Sequence, residues 1–125
     1  MMTVTEVANR LVTLCREGKY EEVYQELYSP DCVSIEPQGA FIERAEGMVE
    51  MQKKGEAWNN MLQEMHGSSV GDPIIGEDHF ACTMFLDCTF KNGHRSAETE
   101  LCVYKVSDGK VVEERFFYTP NPMES

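Results

Sequence analysis

The fold is decided by HFACTMFLDCTFKNGHRSAETELCVYKVSDGKVVEERFFY, residues 79–118. β-Branched and aromatic residues form three runs in this stretch, and the dipeptides Asn92-Gly93 and Asp108-Gly109 separate the runs. Both dipeptides favour type I′ turns, which need positive φ at two successive residues. The stretch therefore predicts three long antiparallel strands joined by two-residue hairpin turns.

Two-residue turns fix which residues share a face of the sheet, because side chains alternate between the two faces. One predicted face is nearly all apolar and is expected to cover the core; it carries Phe80, Cys82, Met84, Leu86, Cys88, Phe90, Ala97, Thr99, Leu101, Val103, Glu114, Phe116 and Tyr118. The outer face is mixed and includes Phe85, Asp87, Glu98, Glu100, Tyr104, Arg115 and Phe117. A β-bulge in either hairpin would exchange the two faces beyond the bulge.

The composition predicts one globular domain over residues 1–125, because 125 residues with 42% hydrophobic content suit a single core. A net charge of −11 argues against nucleic acid and anionic membranes as partners. Residues 1–10 lack the apolar segment of a signal peptide, and no apolar run reaches the roughly 20 residues of a membrane span. These features favour a cytoplasmic protein. The five cysteines lack CxxC spacing and are interpreted as small buried apolar side chains.

The first half of the chain is predicted to be mainly helical. Thr3 and Glu6 form a capping box, and apolar residues then recur at helical spacing as far as Cys15. The predicted elements are helices over residues 4–15, 20–28 and 45–60 and strands over residues 31–36 and 63–72. Two helices, a strand and a third helix thus precede a four-stranded meander.

This order of elements, with CVSIEPQG at residues 32–39 and DGKVVEERFFY at residues 108–118, resembles the nuclear transport factor 2-like superfamily. The superfamily includes ketosteroid isomerases and SnoaL-like polyketide cyclases. The resemblance implies an α+β fold in which a cone-shaped, curled antiparallel sheet packs on three N-terminal helices. It also implies a ligand pocket at the open end of the cone and a homodimer. The apolar residues Phe85, Tyr104 and Phe117 on the outer face are expected to form the dimer contact.

The resemblance places a general base at Glu36, directly before Pro37. The tyrosine and aspartic acid that bind the oxyanion in ketosteroid isomerases would fall near Leu11 and near Leu101 or Cys102, so both donors are absent. A true ketosteroid isomerase is therefore not expected, since the donors supply the larger electrostatic contribution. The implied function is binding of a small, largely apolar carbonyl compound, with cofactor-free proton transfer of the isomerase or cyclase kind. The alternative is a non-catalytic ligand-binding or interaction module that acts as a dimeric scaffold.

Two carboxyls are candidate catalytic groups. Glu114 falls on the apolar face, where an acid needs a partner or must be neutral, and we hypothesise that it donates a proton while Glu36 acts as the base. Alternatively, Glu36 is a solvated glutamate at a turn and Glu114 a rim residue displaced by a bulge. The residues expected to contact the ligand are His66, Trp58, Met84, Thr99, Leu101, Phe116 and Tyr118. His66 has a structural alternative as a hydrogen-bonded histidine, and Trp58 and Met84 have one as core residues.

No metal site or cofactor is expected. His66, His79 and His94 lack metal-ligand spacing on one regular element. The sequence also lacks the phosphate-binding and zinc-protease motifs P-loop, G-x-G-x-x-G and H-E-x-x-H.

Overall fold

A computed structural model describes residues 1–120. Its elements are α1 (Val4–Arg16), α2 (Tyr20–Leu27), β1 (Tyr28–Ile35), β2 (Arg44–Glu46), α3 (Gly47–Met61), β3 (Leu62–Val70), β4 (Ile74–Ile75), β5 (His79–Phe90), β6 (Arg95–Ser107) and β7 (Lys110–Phe117). The strands form one curled sheet in the order β2-β1-β7-β6-β5-β3, with β4 paired to β5. The α+β prediction is confirmed.

The sheet is mixed rather than wholly antiparallel, because β1 runs parallel to β7. This pairing places Ser34 beside Glu114 and Ile35 beside Arg115. β1 also begins at Tyr28, three residues before the predicted start, so Pro30 lies within the strand. Pairing with β7 is irregular between Tyr28 and Val33, as expected where proline cannot donate to the ladder.

The helices cover the concave face of the sheet. The Thr3–Glu6 capping box forms as predicted, and α1 buries Val7, Leu11 and Leu14 completely or nearly so. These side chains share one core with Phe80 of β5 and Tyr104 of β6. None of the three helices within residues 1–120 is long and apolar enough to cross a membrane.

The first hairpin differs from the prediction by one residue. The amide of Phe90 donates to the carbonyl of His94 at 2.8 Å, so the loop has three residues, Lys91–Gly93, and Gly93 has a φ of +91°. A three-residue loop that ends in a left-handed glycine is a common hairpin connection. It shifts the register, so that Cys102 rather than Val103 lies opposite Cys82.

This shift corrects the predicted faces of β6. The inner face carries Glu100, Cys102 and Tyr104, and the predicted inner residues Thr99, Leu101 and Val103 lie on the outer face. Burial agrees with the pairing: Tyr104 is 2% exposed and Leu101 is 42% exposed.

The second hairpin has the predicted type I′ turn, since Asp108 and Gly109 both have positive φ. A bulge follows, because Val106 pairs with Val111 whereas Lys105 pairs with Glu113. The bulge reverses the shift made by the first hairpin. Glu114 and Phe116 therefore point inward as predicted, but beside Tyr104 and Cys102 instead of the predicted Val103 and Leu101.

Candidate functional site

The Glu36 carboxylate lies directly beyond the end of β1 and is held by two side chains. Its Oε1 accepts a hydrogen bond from the hydroxyl of Tyr118 at 2.7 Å, and its Oε2 accepts one from Nζ of Lys54 at 3.0 Å. The Glu36 side chain is 13% exposed and the Lys54 side chain 20% exposed. Two donors thus fix a largely enclosed carboxylate where the turn after β1 meets the end of β7.

Glu114 lies deeper and is buried on β7. One carboxyl oxygen bonds the hydroxyl of Tyr28, and the other accepts from the hydroxyl of Ser34 at 2.7 Å. Both partners come from β1, the parallel neighbour of β7. Burial raises the pKa of Glu114, while the charge of Lys54 and the bonds from Tyr28 and Ser34 act in the opposite direction.

Lys54 joins these two carboxyls. Its Nζ donates to Oγ of Ser34 at 2.7 Å as well as to Glu36. Because an ammonium only donates, the single proton of the Ser34 hydroxyl is free to go to Glu114. The hydrogen bonds therefore run from Lys54 in two directions, directly to Glu36 and through Ser34 to Glu114. The same ammonium lies 5.0 Å from the centre of the Phe116 ring, a cation–π distance.

Glu100 is the third carboxyl of this interior. It lies on the inner face of β6, and its Oε1 is 3.7 Å from Sγ of Cys102. Burial, and secondly repulsion from Glu36, raise the pKa of Glu100 to about 7. We call the set the inner polar cluster; it consists of Tyr28, Ser34, Glu36, Lys54, Glu100, Glu114 and Tyr118.

Four of the predicted ligand-contacting residues lie on the inner side of the sheet. Tyr118 belongs to the inner polar cluster through its bond to Glu36, and the Phe116 ring contacts Lys54 of that cluster. Met84 packs on the core and pairs in register with Glu100. Trp58 packs edge-to-face on Phe90 with ring centres 6.4 Å apart.

Three predicted site residues lie elsewhere. Thr99 and Leu101 are on the outer face because of the register shift in the first hairpin. His66 is also outside the inner polar cluster. Its Nε2 lies 2.7 Å from Oγ1 of Thr89, which follows the inward-facing Cys88 and therefore lies on the outer face of β5. This contact is that of a hydrogen-bonded structural histidine, which is the alternative interpretation of His66 that the sequence left open.

Sequence reasoning missed Lys54, Ser34 and Tyr28, and it assigned Glu100 to the outer face while leaving open that a β-bulge moves Glu100 inward. A signal for Lys54 was present, since it lies three residues after Met51 and four before Trp58 and so shares their helix face. Glu100 alternates with Cys102 and Tyr104, but the assumed turn assigned all three to the outer face. No comparable signal marked Tyr28, because the strand was expected to begin after it.

A depression of about 350 Å³ opens where β1 and β7 end. It is lined by Ile35, Glu36, Pro37, Gln38, Arg115, Phe116, Phe117 and Tyr118. Glu36 and Tyr118 thus face both the inner polar cluster and a mainly apolar space. Within residues 1–120, no three His, Cys, Asp or Glu side chains are grouped so as to hold a metal ion.

Comparison with known proteins defines the class. Residues 2–118 match the sequence model of the SnoaL-like domain family, and the chain belongs to this family. A crystal structure from Mesorhizobium loti, provisionally described as a SnoaL-like polyketide cyclase [carbohydrate phosphatase], is 30% identical. That alignment covers 94% of this chain and all of the other, with a TM-score of 0.88.

Two more distant structures support the fold alone. A protein of unknown function with a cystatin-like fold from Xanthomonas campestris is 21% identical, with a TM-score of 0.79 and coverage of 98% of this chain and 95% of the other. A nuclear transport factor 2-like protein from Burkholderia pseudomallei is 15% identical, with a TM-score of 0.78 and coverage of 95% and 92%. No curated protein is significantly similar in sequence. The resemblance to the nuclear transport factor 2-like superfamily is confirmed.

Proposed function

We propose that this protein binds a small, largely apolar carbonyl compound inside the curled sheet and transfers a proton within it without a cofactor. The observation that carries the proposal is the Glu36 carboxylate, which Tyr118 and Lys54 hold beside an apolar depression. A fixed carboxylate at such a boundary suits removal of a proton from carbon. Membership of the SnoaL-like family supports a ligand-binding or cyclase- and isomerase-type role.

We propose Glu100 rather than Glu114 as the proton donor. Both oxygens of Glu114 are bonded to Tyr28 and Ser34, and its side chain is buried, which leaves no group to offer a ligand. Among the described residues 1–120, the hydrogen-bond partner of Glu100 is the weak Cys102 thiol at 3.7 Å. With a pKa raised to about 7, Glu100 holds a proton in a large fraction of molecules near neutral pH.

Glu36 and Glu100 each exchange a proton with the substrate in the proposed step. Glu36 takes a proton from the carbon next to the carbonyl, the C–H electron pair forms a C=C bond, and the carbonyl π pair moves to oxygen. That oxygen receives the proton of Glu100. In a ketone with a neighbouring C=C bond, Glu36 gives its proton to the far carbon and the enol O–H returns its proton to Glu100, which completes an isomerisation. In a substrate with a second carbonyl, the enol carbon attacks that carbonyl, Glu36 protonates the new alkoxide and the enol O–H returns its proton to Glu100, which completes a cyclisation.

Hydrogen–deuterium exchange at the carbon next to the carbonyl of 2-tetralone, followed by proton NMR in D₂O, tests the proposal. The wild-type protein is expected to accelerate exchange, and Glu36→Gln to reduce the acceleration by about 10²–10⁴-fold, the range for loss of a general base. Glu98→Gln, at an exposed position on the same sheet, is the matched control. Equal exchange by wild type and Glu36→Gln would exclude Glu36 as the base. Binding without any exchange would favour the non-catalytic module.

A second proposal concerns the outer face of the sheet. Phe117 is 49% and Leu101 42% exposed, and the two residues pair across β6 and β7. Together with the partly buried Phe85 and Val103 they make an apolar surface, although Tyr104, expected there, is in the core. An apolar face of this kind on a small domain suits pairing with a second copy.

We therefore expect a homodimer of twice 14.2 kDa in light scattering at micromolar concentration. Leu101→Lys should shift the species towards the monomer, because it inserts a charge into the proposed contact. Val49→Lys, on an exposed residue of α3, is the control and should leave the dimer intact. A wild-type protein that scatters as a 14.2 kDa species would contradict the dimer.

A further inference from the structure

We propose that Lys54 is the positioning residue of this site. It fixes the Glu36 carboxylate in place, and its positive charge partly offsets the negative charge of the three neighbouring carboxyls Glu36, Glu100 and Glu114. The inference rests on the proposed function, because it takes Glu36 as the base and Glu100 as the donor. Lys54 itself needs no contact with the reacting atoms.

The contacts of Lys54 connect the candidate base to the interior. Its ammonium lies 3.0 Å from Oε2 of Glu36 and 2.7 Å from Oγ of Ser34. Tyr118 holds the other oxygen of Glu36, so the carboxylate is fixed at both oxygens. Without Lys54, one oxygen of Glu36 would lose its donor and the side chain could rotate about its remaining bond.

The charged groups of the inner polar cluster near Lys54 come from β6, from β7 and from the residue after β1. Glu36 follows β1, Glu100 and the Cys102 thiol lie on β6, and Glu114 lies on β7. The hydroxyl of Tyr28 bonds Glu114, and the hydroxyl of Tyr118 bonds Glu36. Within the inner polar cluster, one ammonium therefore faces three carboxyls. In a partly enclosed site, loss of this charge would alter the titrations of Glu100 and Glu114 together.

The directions of the pKa shifts agree with this geometry. The charge of Lys54 lowers the pKa of Glu100 and of Glu114, and the charge of Glu36 raises both. For Glu100 the effect of Lys54 ranks above that of Glu114. Lys54 thus keeps the Glu100 proton transferable near neutral pH instead of leaving it tightly bound.

Lys54→Met tests the inference, with Lys53→Met as the matched control because Lys53 is exposed on the same helix. Carbon-13 NMR of the glutamate carboxyls should show the titration midpoint of Glu100 about 1 pH unit or more higher in Lys54→Met, as for loss of a nearby opposite charge. Deuterium exchange of 2-tetralone at saturation should fall at least about 10-fold with little change in KM, since a positioning group acts on the step and not on ligand contact. Lys53→Met should match the wild type in both measurements.

The double variant Lys54→Met/Glu114→Gln separates positioning from simple charge compensation. Removing the buried Glu114 carboxylate together with the Lys54 cation should return the midpoint of thermal unfolding to the wild-type value. The double variant can therefore be measured even if Lys54→Met alone does not fold. The Glu100 midpoint should stay above the wild-type value and exchange should stay low, because Glu36 still lacks its partner.

Two results would overturn the inference: an unchanged Glu100 midpoint in Lys54→Met, or full recovery of exchange in the double variant. The readouts also separate this inference from the proposed function. If wild-type protein shows no exchange, the proposed proton transfer fails, yet the Glu100 titration still decides the role of Lys54.

Discussion

Glu100→Gln is expected to stabilise the protein at pH 8 and to leave its stability nearly unchanged at pH 4.5. In the folded protein the pKa of Glu100 is raised to about 7 from its ordinary value of 4.5. Between these two values the folded state binds more protons than the unfolded state, so stability falls as pH rises through this window. The two values differ by about 2.5 pH units, which at about 1.4 kcal/mol per pH unit corresponds to at most about 3.5 kcal/mol.

The measurement is urea unfolding of wild type and Glu100→Gln at the two pH values. Glutamine has the same shape as the protonated acid, so the variant should gain only where wild-type Glu100 is ionised. Glu98→Gln, exposed and two residues away, should change the free energy of unfolding little at either pH. A Glu100→Gln curve that follows the wild type from pH 4.5 to pH 8 would show that the interior does not penalise this carboxylate.

A stabilising substitution inside a candidate site has a functional meaning. Ionised Glu100 lowers stability because it is half-buried near the charge of Glu36, and its hydrogen-bond partner within residues 1–120 is the Cys102 thiol. A residue whose ionised form weakens the fold, and which holds a proton in many molecules near neutral pH, fits a group kept for chemistry or ligand recognition. Glu114 differs, since its hydroxyl partners satisfy it within the fold.

Local signals predicted the helices and one turn well. The Thr3–Glu6 capping box and the type I′ turn at Asp108-Gly109 form because each depends on residues adjacent in sequence. The Asn92-Gly93 turn failed for a physical reason. Asn-Gly suits both a two-residue loop and a longer loop with glycine in the left-handed position, and the choice depends on strand packing.

Part of the candidate site was predicted correctly, and the inward position of Glu114 was correct only because two errors of strand register cancel. The extra loop residue and the bulge after Lys105 each shift the register by one, so Glu114 lies inward although its assumed neighbours do not. Glu36 came from the resemblance, whose family match is now shown. Lys54 was overlooked because α3 was interpreted through its apolar residues alone, and Ser34 becomes a link only through the parallel pairing of β1 with β7.

The largest effect on stability that we expect comes from a substitution on β6, and it depends on the register of that strand. Tyr104→Ala should lower the free energy of unfolding by about 3–5 kcal/mol, as for other large buried aromatic residues. Tyr104 is 2% exposed and stacks on Phe80 with ring centres 4.7 Å apart, so its removal leaves a cavity against α1 and β5. Leu101→Ala, at a position on the same strand that is 42% exposed in the single chain, should lower it by less than about 1 kcal/mol at a protein concentration low enough to dissociate the proposed dimer.

Urea unfolding of the two variants at a pH below the titration of Glu100 isolates this difference from charge effects. With the two-residue turn that the sequence suggests, Leu101 would fill the core and Tyr104 would face outward, and the order of the two losses would be reversed. The ranking therefore tests the strand register that carries Glu100 into the interior. A larger loss for Leu101→Ala would place Glu100 on the outer face and remove it from the inner polar cluster, together with its proposed role as proton donor.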